Sequence, residues 1–269
     1  MLHKIKNSQI KAVTLGLLLF ALLTPPVSAQ SPKAISIVAP NFWCPFACDA
    51  NGPQQGFAIE IARAAFLEFG ITVNYTNMPY DRALLEVKKG VMVQAVVPTF
   101  KEEAPHFIYP NSATSATEYC FYVKQNSHWH FTDFTDLNNM RFAATSGYIY
   151  SPKMDAYIAQ HTEKATGRVY LLKGENIPIR MFNMIINSRY DAFLEDTRLM
   201  DYLRSKGDLA GLKKAGCLDV INYGFLALTP SKTFPSRQMA KYFDQGMLIL
   251  RNSGKLKEIL DKYGVQDWQ

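Results

Sequence analysis

The sequence predicts an α/β protein of two lobes, the second inserted into the first. Three observations carry this. Strand-like and helix-like stretches alternate, and the β-α-β-α-β order of a parallel sheet occurs twice along the chain. An irregular stretch with prolines at 98, 105 and 110, Pro98–Thr117, separates the two units and leads into a strand, Glu118–Lys124. After the second unit comes a further strand, Asn222–Leu228, and then two amphipathic helices that can carry the chain back to the first lobe.

The first residues read as a leader. Lys4, Lys6 and Lys11 form a basic region, Ala12–Leu23 an apolar one, and Val27-Ser28-Ala29 supplies the small residues of a cleavage site, so 1–29 is expected to be a signal peptide. The apolar run is too short to span a bilayer comfortably, and no cysteine near the cleavage point offers a lipid anchor. The expected product is a free periplasmic protein. Losing three lysines halves the formal net charge of +6, and the remainder is too modest to argue for nucleic acid. The roughly 240 residues left can build two lobes with cores of their own.

In order, Ala34–Ala39 is an apolar strand, and Pro40–Gly56 is a long loop holding Phe42, Trp43, Phe46 and a Cys-x3-Cys pair. Phe57–Phe69 is an amphipathic helix with Phe57, Ile61, Ala65, Phe66 and Phe69 on one face, closed by Gly70. Ile71–Met78 alternates as a strand, Asp81–Lys89 is a short helix stopped by Gly90, and Val93–Val97 is the third strand. The second unit runs as strand Arg141–Thr145, helix Pro152–His161, strand Arg168–Leu172, helix Ile177–Asn187 and strand Tyr190–Leu194. Helix Thr197–Lys206 follows, and Ser236–Asn252 and Lys255–Tyr263 are the closing helices. The lobes are expected over 30–124 with 222–269, and over 125–221. The crossings fall near Val123–Asn126 and Ile221–Tyr223, a two-strand hinge for a clamp that closes.

Cys44, Cys48, Cys120 and Cys217 all survive cleavage, and an even count in an exported chain points to disulfides. Cys44–Cys48 is the local option and Cys120–Cys217 its long-range mate. Zinc is the alternative for Cys-x3-Cys, but no second close pair of ligands accompanies it. His128-Trp129-His130 would share a face in a strand, yet lacks an acidic or cysteine partner nearby. No cofactor or metal is expected.

The chain resembles the periplasmic solute-binding proteins of family 3, the polar amino-acid type with the type II two-lobe fold. The resemblance rests on GFAIEIARAAF at 56–66, GVMVQAVVP at 90–98, FAATSGY at 142–148, SRYDAFLED at 188–196 and SGKLKEILDKYG at 253–264. It implies a ligand bridging two lobes, a closed form recognised by an ATP-driven permease, a monomeric state and no catalysis. It also implies an Arg in a Thr-x-x-Arg motif for the ligand carboxylate and an Asp after the third strand of the second lobe for its ammonium. Asp196 stands at the second position. The first reads Thr99-Phe100-Lys101-Glu102, without the Arg; Lys101 or Arg82 is the candidate substitute, and a Lys lacks the bidentate fork.

Each candidate contact has a structural alternative. Trp43 and Phe46 either wall the cleft or fill a small core under their loop. Tyr80 and Arg82 follow the second strand, and Thr99 and Phe100 the third, so all four are expected at the cleft, with Arg82 the anion-binding candidate. Thr145-Ser146-Gly147-Tyr148 either offers free backbone N–H groups to a carboxylate or is an ordinary strand-to-helix turn. Asp196, beside Glu195, either binds the ligand cation or caps the helix that follows. Three functions are open: uptake of a small polar solute such as an amino acid, ligand sensing for a membrane receptor, and a dehydratase-like enzyme on the same fold.

Overall fold

The computed structural model describes residues 32–40, 43–162, 167–174 and 176–268. The leader and Phe42 lie outside the described residues.

Strand β1 (Ala34–Ala39) pairs in parallel with β2 (Thr72–Asn77) over its whole length and with β3 (Ala95–Thr99) through Ile37 and Val38. Helices α1 (Phe57–Leu67) and α2 (Tyr80–Lys89) make the crossovers. The second unit repeats the order with β5 (Phe142–Thr145), α3 (Pro152–His161), β6 (Val169–Leu172), α4 (Ile177–Ile186), β7 (Ala192–Asp196) and α5 (Thr197–Ser205). Here β5 pairs in parallel with β6 and β7. Strands β4 (Ser115–Lys124) and β8 (Leu212–Leu228) join the halves, and the described strands run in the order β2-β1-β3-β8-β4-β7-β5-β6. This is a two-lobe α/β fold with helices on both faces of each sheet.

Each half has its own packed interior. Ile35, Ile37, Phe57, Ile61 and Phe66 meet Met239, Phe243, Met247, Leu256 and Leu260, so α6 (Ser236–Asn252) and α7 (Lys255–Asp261) return to the first half. The approach is close. A Cβ on Gly246 of α6 would fall 2.4 Å from the carbonyl oxygen of Ala65 in α1, which only a glycine avoids. In the second half, Tyr119, Phe121, Val123, Phe142, Val169 and Leu194 share one core.

The strands that join the halves are longer than expected, β4 starting at Ser115 and β8 at Leu212. Tyr119, Phe121 and Val123 pack in the second core, and β4 pairs with β7 from Tyr119 to Val123. From Tyr119 onward β4 thus packs and pairs with second-half elements. Strand β8 also begins ten residues before Asn222, at Leu212. Lysines, Gly216 and Asp219 hide the strand pattern there, and its antiparallel pairing with β4, Lys124↔Leu212 to Ser115↔Gly224, supplies the order that composition lacks. Gly216 is required because a Cβ would lie 2.1 Å from the Phe131 carbonyl oxygen.

Both disulfides are present, Cys44–Cys48 and Cys120–Cys217, and no described cysteine is free. The long-range bridge joins β4 to β8 where the two residues are register partners.

Candidate functional site

The first wall begins at the loop after β1. The Cys44–Cys48 bridge draws this loop into a turn in which Ala47 N donates to Trp43 O at 3.0 Å. The Cys48 carbonyl accepts from Tyr75 Oη at 2.7 Å and from Asn77 Nδ2 at 3.0 Å, fastening the turn to β2. Phe46 is fully buried between Trp43 and Phe57, with ring centroids 5.5 and 5.1 Å away. It is a floor that sets the tilt of Trp43. Tyr80 opens α2, and Phe100 and Glu103 follow β3. The Tyr80 hydroxyl donates to Glu103 Oε2 at 2.5 Å. Burial pushes the Glu103 carboxyl above its ordinary range, with the Tyr80 hydroxyl and the Phe100 backbone working against that shift.

The second wall is the turn after β5. Thr145 N donates to Tyr150 Oη at 2.7 Å, and Ser146 N donates to the Leu172 carbonyl at 2.8 Å. Helix α3 starts later, capped by Ser151, whose Oγ accepts from Met154 N at 3.1 Å. Asn222 of β8 donates to the carbonyls of Ile149 and Tyr150 at 3.1 and 2.9 Å, so the turn is tied to a crossing strand.

Between the walls is a cavity of about 100 Å³. Pro40, Trp43, Tyr80, Phe100 and Glu103 line it from the first half, and Tyr119, Gly147, Tyr148 and Ile149 from the second. Trp43 faces Tyr148 across it with ring centroids 6.2 Å apart. Phe100 lies 6.4 Å from Trp43, and Tyr119 lies 6.2 Å from Tyr148. Burial, reinforced by nearby carboxylates, holds the Tyr119, Tyr148 and Tyr150 hydroxyls neutral well beyond the usual phenol range.

Asp196 and Glu195 lie in β7, paired with Tyr119 and Cys120 of β4, and both are buried. Asp196 Oδ1 accepts from Arg198 N and Leu199 N at 2.9 and 3.0 Å, the geometry of an N-cap. Its Oδ2 accepts from Glu118 N at 3.1 Å. Glu195 Oε1 accepts from Asp196 N at 2.9 Å, and Oε2 from Thr145 Oγ1 at 3.5 Å. Burial raises Glu195 to about 8, despite these hydrogen bonds, with the charge of Asp196 adding to the shift. Burial likewise raises Asp196 to about 6 against the opposing pull of Arg198 and three backbone N–H groups.

Of the expected contacts, Trp43, Tyr80, Phe100, Gly147 and Tyr148 line this cavity and Phe46, Arg82, Thr99, Thr145, Ser146 and Asp196 do not. Arg82 is on the exposed face of α2. Lys101 lies over the Phe225 ring, 3.8 Å from its centroid. Thr99 is buried with no hydrogen-bond partner for Oγ1 by distance and angle, although it lies close enough to Tyr80 to favour the phenolate slightly. Glu60, another first-half carboxylate, is held by Tyr263 Oη and Lys262 Nζ at 2.5 and 2.9 Å.

Sequence reasoning missed Glu103 and Tyr119. Glu103 had a signal, since it follows the loop where the resembled family carries Arg and this chain carries two glutamates. Tyr119 had one too, because Tyr119, Phe121 and Val123 alternate along β4.

The chain belongs to the bacterial extracellular solute-binding proteins, family 3, whose profile matches residues 35–266. No curated protein matches it significantly in sequence. Among solved structures it is similar to an ABC uptake transporter substrate-binding protein from Streptococcus pneumoniae with bound histidine, at 20% identity and a TM-score of 0.67, covering 86% of this chain and 92% of that one. A probable amino-acid ABC transporter extracellular-binding protein from Bacillus subtilis is similar at 14% identity and a TM-score of 0.69, covering 87% and 98%. A histidine kinase sensor domain with similarity to periplasmic binding proteins matches at 16% identity and a TM-score of 0.67, covering 86% and 96%. At these identities the likeness establishes the fold.

Proposed function

We propose that the protein captures a small solute in the cavity between its lobes and presents the closed form to an ABC-type uptake permease in the membrane. The observation that carries this is the Trp43–Tyr148 pair, in which rings from opposite walls stand 6.2 Å apart over one cavity. A solute there touches both lobes at once, and binding that prefers the closed form shifts the population toward it. The periplasmic solute-binding role follows from the family, and transport from the fold's likeness to uptake binding proteins. The proposed contacts are Trp43, Tyr80, Phe100, Glu103, Tyr119 and Tyr148.

The proposed hinge is Ser115–Glu118 of β4 with Ile221–Gly224 of β8. A Cβ on Gly224 would lie 2.4 Å from Ser115 Oγ and 2.8 Å from Pro98 Cβ, so the crossing strands meet too closely for another residue. Sensing is the second reading, favoured by the likeness to a kinase sensor domain. Melting of the purified protein against panels of amino acids, organic acids, amines and peptides tests solute capture. A concentration-dependent rise with one class is expected; no rise with any class contradicts it.

A further inference from the structure

The wall of the cavity is unusual in its charge. Among the described residues that line it, Glu103 is the only carboxylate, and none is Lys, Arg or His. The carboxylates Glu195, Asp196 and Glu103 all lie near enough to the Tyr148 hydroxyl to disfavour its ionisation. Sharing the cavity wall with Glu103 are Trp43, Tyr80 and Phe100 from one lobe and Tyr119 and Tyr148 from the other. Aromatic faces carry negative quadrupole density and attract a cation within about 6 Å of their centroids, Trp most strongly.

Resting on the solute-binding reading above, we propose that this cavity takes the head of a small alkylated ammonium ion, a quaternary amine seated among these rings beside the Glu103 carboxylate. A carboxylate-bearing solute meets no cation among the described residues of the wall, since Arg82 is exposed on α2 and Lys101 lies on Phe225. An anion there stays unpaired and desolvated. A primary ammonium brings three N–H donors to a wall made mostly of rings, whose one described carboxylate shares Oε2 with Tyr80. Methyl groups on the nitrogen remove those donors and match the apolar rings. A neutral solute leaves the half-buried Glu103 carboxylate without a counter-charge, whereas a cation supplies one. Size agrees. A cavity of about 150 Å³ holds benzene, so one of about 100 Å³ suits a head of about four or five heavy atoms, with any tail directed to the mouth of the cleft.

Calorimetric titration and thermal melting with tetramethylammonium, choline, glycine betaine and L-glutamine test this, with potassium chloride as the ionic-strength control. Tetramethylammonium and choline are expected to bind and raise the melting temperature. Glycine betaine, whose carboxylate finds no partner, is expected at least tenfold weaker than choline. Glu103→Gln should weaken choline at least tenfold while melting no lower than the parent without ligand. Binding of L-glutamine with the quaternary ions inert overturns the ligand class and leaves solute capture standing. Equal choline affinity in Glu103→Gln, or betaine binding as tightly as choline, overturns the charge pairing. No response to any of these or to the wider panels overturns both readings.

Discussion

Glu103 and Asp196 stand on opposite sides of one cleft, each just beyond or at the end of a central strand, and their surroundings separate them. Asp196 is 1% exposed, and both its oxygens accept backbone N–H groups, two from the start of α5 and one from Glu118. Glu103 lines the cavity, where its Oε2 accepts from the Tyr80 hydroxyl and the Phe100 backbone lies beside its carboxyl. The same chemical group is thus a fastener on the second wall and an available charge on the first. A carboxylate at a strand end is a ligand group only if its lone pairs are not already committed to the chain that placed it there.

Removing the staple of each wall breaks this comparison most strongly. The Cys120–Cys217 bridge closes a loop with a sequence separation of 97, and Cys44–Cys48 one of 4. Chain entropy assigns about 4–5 kcal/mol to the first and about 2 kcal/mol to the second. Replacing Cys120 and Cys217 together by Ala should therefore lower the melting temperature most. The Cys44/Cys48 double variant should melt closer to the parent but lose more solute affinity, because it frees the turn that aims Trp43. The reverse ranking in melting and titration would mean that the walls are not held as described.

Asp196→Ala comes next. Two helix N–H groups and one strand N–H lose their acceptor, a cost of about 2 kcal/mol and a fall of about 4–8 °C for a chain of this size. The shift produced by solute should persist. Loss of the solute response at unchanged melting would make Asp196 a ligand contact after all.

Counted per pH unit, the smallest effect is the pH dependence of the second wall. Glu195 rises from an ordinary 4.5 to about 8 through burial, so the folded chain holds a proton there that the unfolded chain has released. Its contribution is most favourable below the ordinary value and is lost as pH rises through about 8. The unliganded melting temperature should fall from pH 5 to pH 9, with a slope of at most about 1.4 kcal/mol per pH unit from this group. Glu195→Gln should flatten that fall; an unchanged slope would assign it elsewhere.

Most of the fold was legible in the sequence, because the alternation of Ile35, Ile37 and Ala39 or the apolar stripe of α1 follows from periods of 2 and 3.6 residues. Strand β8 was legible only where it is apolar, from Asn222 onward, since its first half owes its order to β4 and to the Cys120–Cys217 bridge. The site was half legible. Loop position brought Trp43, Tyr80, Phe100, Gly147 and Tyr148 to the cavity. Whether Asp196 was committed to Glu118 N, or Arg82 turned outward on α2, depends on contacts between distant segments that residue spacing does not encode.

The most direct test is a crystal structure with saturating choline. The account predicts its nitrogen in the cavity beside the Trp43 and Tyr148 rings, within about 6 Å of the Trp43 ring and nearer to Glu103 than to Asp196. Choline touching the Asp196 carboxylate, or seated outside this cleft, would contradict it.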